Sequence, residues 1–135
     1  MLEPAYRYFA TARRVQDGDS LIVDADLGFY ASMAIPVRLA GVDTPELRSR
    51  DEHERQRARL AAAFVHDQVA PDDVLPWSSK SPIRLEARAP LLLVSHKDDR
   101  SFERWVCDVY VLDGDEPASL AERLVDAAHG SYVVA

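Results

Sequence analysis

The spacing of apolar and polar positions predicts three strands, then a helix, then two more strands and a closing helix. Residues 6 to 15, YRYFATARRV, are rich in aromatic and β-branched side chains and read as a strand with imperfect alternation. Asp17-Gly18 favours a tight hairpin, because both residue types tolerate positive φ, and residues 20 to 25 return as the second strand. Asp26-Leu27-Gly28 offers another turn. Ala31 to Leu39 then reads as a third strand, in which Pro36 belongs near an edge or a bulge.

From Asp51 to Val69 the run DEHERQRARLAAAFVHDQV is dense in helix formers. Ala61, Phe64 and Val65 form its apolar stripe, the first half is charged all round, and Asp51 and Arg55 stand at i, i+4, the spacing of a surface ion pair. Pro71 ends the helix. Residues 72 to 90 carry Pro76, Pro82 and Pro90, resemble an insertion, and contain one alternating run, Ile83 to Arg88. Trp77 within it either covers the core or contacts a partner. Leu91 to Ser95 and Trp105 to Leu112 predict two further strands joined by a charged loop, Lys97 to Arg100. Ser119 to Ala128 follows as a helix with the Ser119…Glu122 capping pattern and Gly130 placed to end it.

A chain of 135 residues supports one domain, spanning 1–135, with one core. No apolar run approaches the roughly 20 residues of a membrane helix, and no basic segment leads into an apolar h-region, so a cytoplasmic location without a membrane partner is expected. The one cysteine, Cys107, permits no internal disulfide and sits in a strand-like run as a small core residue. The four histidines have no metal-type spacing and read as solvated or structural. A net charge of -7 argues against a protein that coats DNA through bulk positive charge, but not against an enzyme. Fourteen of the sixteen basic residues are Arg, a bias that genome composition explains as well as phosphate recognition does.

Three short elements carry candidate chemistry: Asp17-Gly18-Asp19-Ser20, Val37-Arg38-Leu39-Ala40-Gly41-Val42-Asp43-Thr44-Pro45-Glu46, and Arg104-Trp105 at the head of a strand. Two aspartates can hold a hard divalent cation, a glutamate can activate water, and two guanidinium groups can grip a phosphate. Arg38 and Asp43 are an odd number of residues apart and would face opposite ways on one regular strand. The strand must therefore end or bulge near Gly41, with Pro45 holding Thr44 extended.

At these residues the chain resembles the staphylococcal nuclease (thermonuclease) family. DGDS is similar to its DGD-[ST] element, RLAGVDTPE to its R-x-x-x-[VI]-D-[TA]-P-E element, and ERWVCDVYV to its fifth strand, while SLAERLV matches the helical segment that follows. The resemblance spans most of residues 13 to 128. It implies a five-stranded OB-fold, an α+β barrel in the order β-β-β-α-β-β-α, here lacking the third C-terminal helix of the best-known members. It also implies a Ca²⁺ site of Asp19 and Asp43 carboxylates and the Thr44 carbonyl, with Glu46 orienting or deprotonating water and Arg38 and Arg104 on the phosphate. The expected activity is Ca²⁺-dependent, sugar-non-specific endonuclease cleavage of DNA and RNA, single-stranded or frayed, to 3′-phosphate and 5′-hydroxyl ends.

Several positions depart from the family pattern. Phe102 stands where an aromatic is common and is a candidate for base stacking, but Glu103 replaces the glycine before the second arginine. Tyr132 is the candidate substrate-contacting tyrosine near the C-terminus. The alternative is a catalytically weak or inactive module that binds nucleic acid or protein. A third reading is a subunit recognising protein through Trp77, Tyr132 and residues 133–135.

Overall fold

Strand β1 (Arg7–Asp17), β2 (Ser20–Gly28) and β3 (Ala31–Leu39) form an antiparallel meander in a computed structural model that describes residues 2–73 and 78–133. After them come β4 (Val42–Asp43), helix α1 (Glu52–Val69), a 3-10 turn (Leu85–Ala87), β5 (Leu91–Ser101), β6 (Arg104–Val111), β7 (Ala118–Ser119), α2 (Leu120–Asp126) and β8 (Ser131–Tyr132). Trp77, and with it part of the 72–90 question, lies outside the described residues, as do Val134 and Ala135.

The main sheet runs β3-β2-β1-β5-β6-β7, and β3 also pairs with β6 in parallel, Val37 with Trp105 and Leu39 with Cys107. That pairing joins the two flanks into a closed five-stranded barrel, an OB-like α+β fold with two α-helices. The expected seven-element order is interrupted by the three two-residue strands and the 3-10 turn. Pro36 is tolerated because β6 joins β3 only from Val37 onward, so the missing Pro36 N–H leaves no ladder bond unmade on that side. Inward positions toward the middle of all five strands, Val15, Val23, Val37, Leu91 and Val111 among them, are buried. Each such side chain contributes roughly 1.5–3 kcal/mol.

Helix α1 packs across β1 through a face of small residues, Ala58, Ala61, Ala62, Val65 and Val69. Phe64 is only half-buried against the His129 ring, with centroids 4.9 Å apart. Asp51 caps α1 by accepting from the His53 N–H at 3.1 Å and makes no ion pair with Arg55, which donates instead to the Ser49 and Arg50 carbonyls at 2.9 and 3.0 Å. His66, expected at the surface or in a structural role, is buried with Nε2 3.0 Å from the Asp73 carboxylate.

One stretch left open by the sequence is resolved, and three further expectations are corrected. Residues Ile83 to Arg88 form no strand: Arg88 folds back onto the Ile83 carbonyl at 2.8 and 3.0 Å, and only the Ile83 N–H reaches β1, at the Arg13 carbonyl. The charged loop from Lys97 to Arg100 belongs to β5, which continues past a bulge and turns back at Phe102-Glu103. The second hairpin turns at Phe29-Tyr30, not at residues 26 to 28, because Gly28 pairs with Ala31. Helix α2 ends at Asp126 with Ala127 as its cap, and Ala128 takes the left-handed conformation that follows (φ 62), so Gly130 is not its terminator. Gly130 instead lies against β4, where an added Cβ would stand 3.0 Å from the Asp43 carbonyl.

Candidate active site

The β1–β2 hairpin brings the first two carboxylates to the barrel rim. Asp17 pairs with Ser20, leaving Gly18-Asp19 as the loop, and Gly18 does not adopt positive φ. Glycine is required there for a different reason. A Cβ on Gly18 would stand 2.7 Å from Thr44 Oγ1, 2.9 Å from Thr44 Cβ and 3.0 Å from Ala61 Cβ, so the bare backbone lets the hairpin close on both α1 and the Thr44 turn.

Beyond β3 the chain turns as the alternation argument requires. β3 ends at Leu39, Gly41 takes φ 74, and Val42–Asp43 resumes as β4 paired to β8. Arg38 holds this turn by donating Nη1 to the Leu39 and Val42 carbonyls at 3.0 and 2.7 Å. The same guanidinium bonds the Asp43 carboxylate through Nη2 and lies 3.4 Å from Asp19 Oδ2. Asp19 is buried, accepting from Ser20 Oγ at 3.1 Å and from the Thr44 N–H at 3.2 Å. Thr44 Oγ1 is buried with no hydrogen-bond partner among the described residues.

Arg104 opens β6 and reaches the same place from the other side, with Nη1 bonded to Ser20 Oγ and Nε 3.3 Å from the Ser101 carbonyl. Ser20 thus links Arg104 to Asp19. Together Asp17, Asp19, Arg38, Asp43, Thr44, Glu46, Arg48, Glu54, Ser101, Phe102 and Arg104 line one open cavity of about 530 Å³. Asp19, Arg38, Asp43, Thr44, Glu46, Phe102 and Arg104, expected from three separate stretches of chain, meet there. Tyr132 does not: it pairs with Val42, next to Asp43, but is outside the cavity lining. Glu103 also lies outside it, exposed at the turn with φ 69.

Asp17, Ser20, Arg48 and Glu54 were not assigned site roles from sequence. Ser20 was legible in the hairpin spacing, since the residue paired with Asp17 must sit beside Asp19. Glu54 reads as a solvated first-turn residue of α1, and only the fold turns it toward the cavity, where Ser49 Oγ donates to it.

Five carboxylates face three guanidinium groups in this cavity. Burial pushes the Asp17 carboxyl up to about 6; the charges of Asp19 and Glu46 add to the rise, and the Gly18 and Leu47 N–H groups oppose it. The donors are hard oxygens and the local field is negative, so the chemistry of the set fits an oxygen-preferring divalent cation. Among the described residues no three carboxylate, imidazole or thiolate side chains converge on one point.

A second groove, of about 460 Å³, shares Asp43, Thr44 and Glu54 with the first and continues past Arg57, Leu60 and His129. Among the described residues no helix is long and apolar enough to cross a membrane. Comparison with protein-family models and with curated proteins finds no match to this chain.

Proposed function

We propose that this chain is a phosphodiesterase of the staphylococcal nuclease type, a Ca²⁺-dependent, sugar-non-specific endonuclease acting on single-stranded or frayed DNA and RNA. The supporting observation is the meeting of Asp19, Arg38, Asp43, Thr44, Glu46 and Arg104 in one cavity, beside a second groove that shares Asp43, Thr44 and Glu54 with it. Ca²⁺ held by Asp19, Asp43 and the Thr44 carbonyl would supply charge neutralisation at the phosphate. Arg104 offers Nη2, which has no hydrogen bond among the described residues, to a phosphate oxygen. Arg38 exchanges its Asp43 contact for another, while its Nη1 keeps the turn in place. Glu46, exposed and with no side-chain hydrogen bond among the described residues, takes the proton of the attacking water. The new O–P bond forms as the P–O5′ bond breaks, and the 5′ oxygen leaves with a proton from solvent. Phe102, at the cavity edge and 90% exposed, stacks on a base.

One observation favours the alternative, a catalytically weak or inactive OB-type module that binds nucleic acid or protein: Arg38 is already held by two carbonyls and two carboxylates. Cleavage of denatured and duplex DNA in EGTA and in millimolar Ca²⁺, with wild type beside Glu46→Gln and Arg104→Ala, separates the two. Calcium-dependent cleavage lost in both variants supports the hydrolase. Salt-sensitive DNA binding without cleavage supports the binding module, and 5′-phosphate product ends would reject the proposed bond scission.

A further inference from the structure

The groove beside the candidate active site has a charge arrangement of its own. Glu54, Arg57 and Leu60 follow one another at i, i+3 along α1, with a rise of about 4.5 Å between neighbours. Glu54 lines both the catalytic cavity and the groove, whereas Arg57 and Leu60 line the groove but not the cavity. The helix thus leads away from the cavity in the order carboxylate, guanidinium, apolar side chain.

Glu54 and Arg57 stand at the spacing of a helix ion pair, yet each turns elsewhere. Glu54 accepts from Ser49 Oγ, and Asp43, the other carboxylate of the groove, is held by Arg38. Arg57 keeps one long contact, Nε donating to the His53 carbonyl at 3.4 Å, and neither of its terminal nitrogens is hydrogen-bonded among the described residues. It is exposed, and among the described residues that line the groove it alone carries a permanent positive charge. A planar fork with both terminal nitrogens open matches the oxygens of a phosphate. The groove also contains the His129 ring, held 4.9 Å from Phe64, and Leu60, which is 61% exposed, so it presents aromatic and apolar surface to a base.

We infer that Arg57 is a substrate-positioning residue that binds the phosphate next to the scissile one, making the preferred substrate a single-stranded chain of several nucleotides over an isolated diester. The inference rests on the proposed phosphodiesterase activity, since it takes the scissile phosphate to lie at Arg104 and Glu46. Arg57 makes no hydrogen bond to Asp19, Asp43 or Glu46. Its part is to hold the chain, and it is read in KM more than in kcat.

Initial rates in millimolar Ca²⁺ are compared for wild type, Arg57→Gln and Arg57→Lys on two substrates: thymidylyl-thymidine, whose phosphate is the scissile one alone, and a thymidine tetranucleotide, whose scissile phosphate has neighbours. Wild type should cleave the tetranucleotide with a kcat/KM at least about tenfold higher. Arg57→Gln should remove that advantage through KM, and Arg57→Lys should restore part of it. The log–log salt dependence of KM for the tetranucleotide should also weaken in Arg57→Gln by about 0.7, the worth of one single-strand phosphate contact. A purely structural role would lower cleavage of both substrates together. Equal losses on the two substrates, a wild type without the advantage, or an advantage that survives in Arg57→Gln overturns the inference and leaves the proposed activity standing. Cleavage of neither substrate by wild type rejects the activity instead. The salt slope is then read from binding of a fluorescent tetranucleotide, where a slope weakened in Arg57→Gln supports the phosphate contact and an unchanged one overturns it.

Discussion

Gly18→Ala should destabilise the protein and disturb the candidate site together. The added methyl meets Thr44 Oγ1 at 2.7 Å, Thr44 Cβ at 2.9 Å and Ala61 Cβ at 3.0 Å. Rotating Thr44 removes only the first clash. The other two atoms are fixed to the backbone of the Thr44-Pro45 turn and of α1, so hairpin, turn or helix must move. Overpacking of this kind costs about 1–3 kcal/mol. The reduced freedom of the unfolded chain returns about 0.4–1 kcal/mol, leaving a net loss of about 1–2 kcal/mol. Gly114→Ala is the control, because a Cβ there meets nothing within 4 Å and its φ is not positive; it should be neutral or slightly stabilising. Urea denaturation followed by circular dichroism gives both midpoints. Equal midpoints for Gly18→Ala and Gly114→Ala would refute the close approach of hairpin, turn and helix. Any movement also alters the 3.2 Å bond from the Thr44 N–H to Asp19, so cleavage activity should fall in Gly18→Ala alone.

Other substitutions probe the charges and turns around this frame. Asp24 on β2 pairs with Arg13 and Arg88, each at 2.7 Å; burial raises its carboxyl pKa, but the two guanidinium groups outweigh that and hold it below 3.8. A depressed folded value stabilises above the unfolded value and is lost as pH falls through the folded one. Asp24→Asn should therefore cost about 1–2 kcal/mol near neutrality, with the gap to wild type closing in urea titrations below pH 3.8; a gap that persists there contradicts the pairing. The Cys107 thiol is pushed up to about 11, by burial first and then by Asp108. Native protein should resist a disulfide reagent at mildly alkaline pH and react only at the rate of unfolding, so fast stoichiometric labelling would show an open core. Glu103→Gly removes a left-handed cost of about 1–2 kcal/mol against an entropy loss of about 0.5–1 kcal/mol; a raised thermal midpoint is expected, and a lowered one would mean that the Glu103 side chain contributes to the fold.

Strand and helix periodicities were legible because they are local, and the break near Gly41 followed from parity alone: Arg38 and Asp43 cannot share a face on one strand. Less legible were features set by approach between distant segments. Asp17-Gly18 suggested positive φ, whereas Gly18 is needed for clearance from Ala61, forty-three residues away in sequence. Phe29-Tyr30 carries no turn signal at all, because its left-handed backbone opposes the preferences of both residues. Ile83 to Arg88 alternates like a strand, but Pro82 and Pro90 flank it and the Arg88 side chain takes the Ile83 carbonyl that a neighbouring strand would need. The Asp51–Arg55 spacing was equally suggestive. Capping and the Ser49 and Arg50 carbonyls compete for those side chains and win, in keeping with the small worth of an exposed ion pair.

The two arginines of the candidate site are not equivalent probes of chemistry. Arg38 satisfies the Leu39 and Val42 carbonyls, so its removal leaves part-buried acceptors unpaired and frees the turn that carries Asp43, Thr44 and Glu46. Lost cleavage in Arg38→Ala would follow from either a missing phosphate contact or a displaced turn. Arg104 touches one carbonyl at the strand start and the Ser20 hydroxyl, so its removal reaches Asp19 only through that one serine. Glu46 is cleaner still, since its side chain has no hydrogen bond among the described residues and Gln preserves its size. Activity that vanishes in Glu46→Gln while the urea midpoint stays at the wild-type value cannot be traced to the fold, and would place a proton-accepting carboxylate in the reaction.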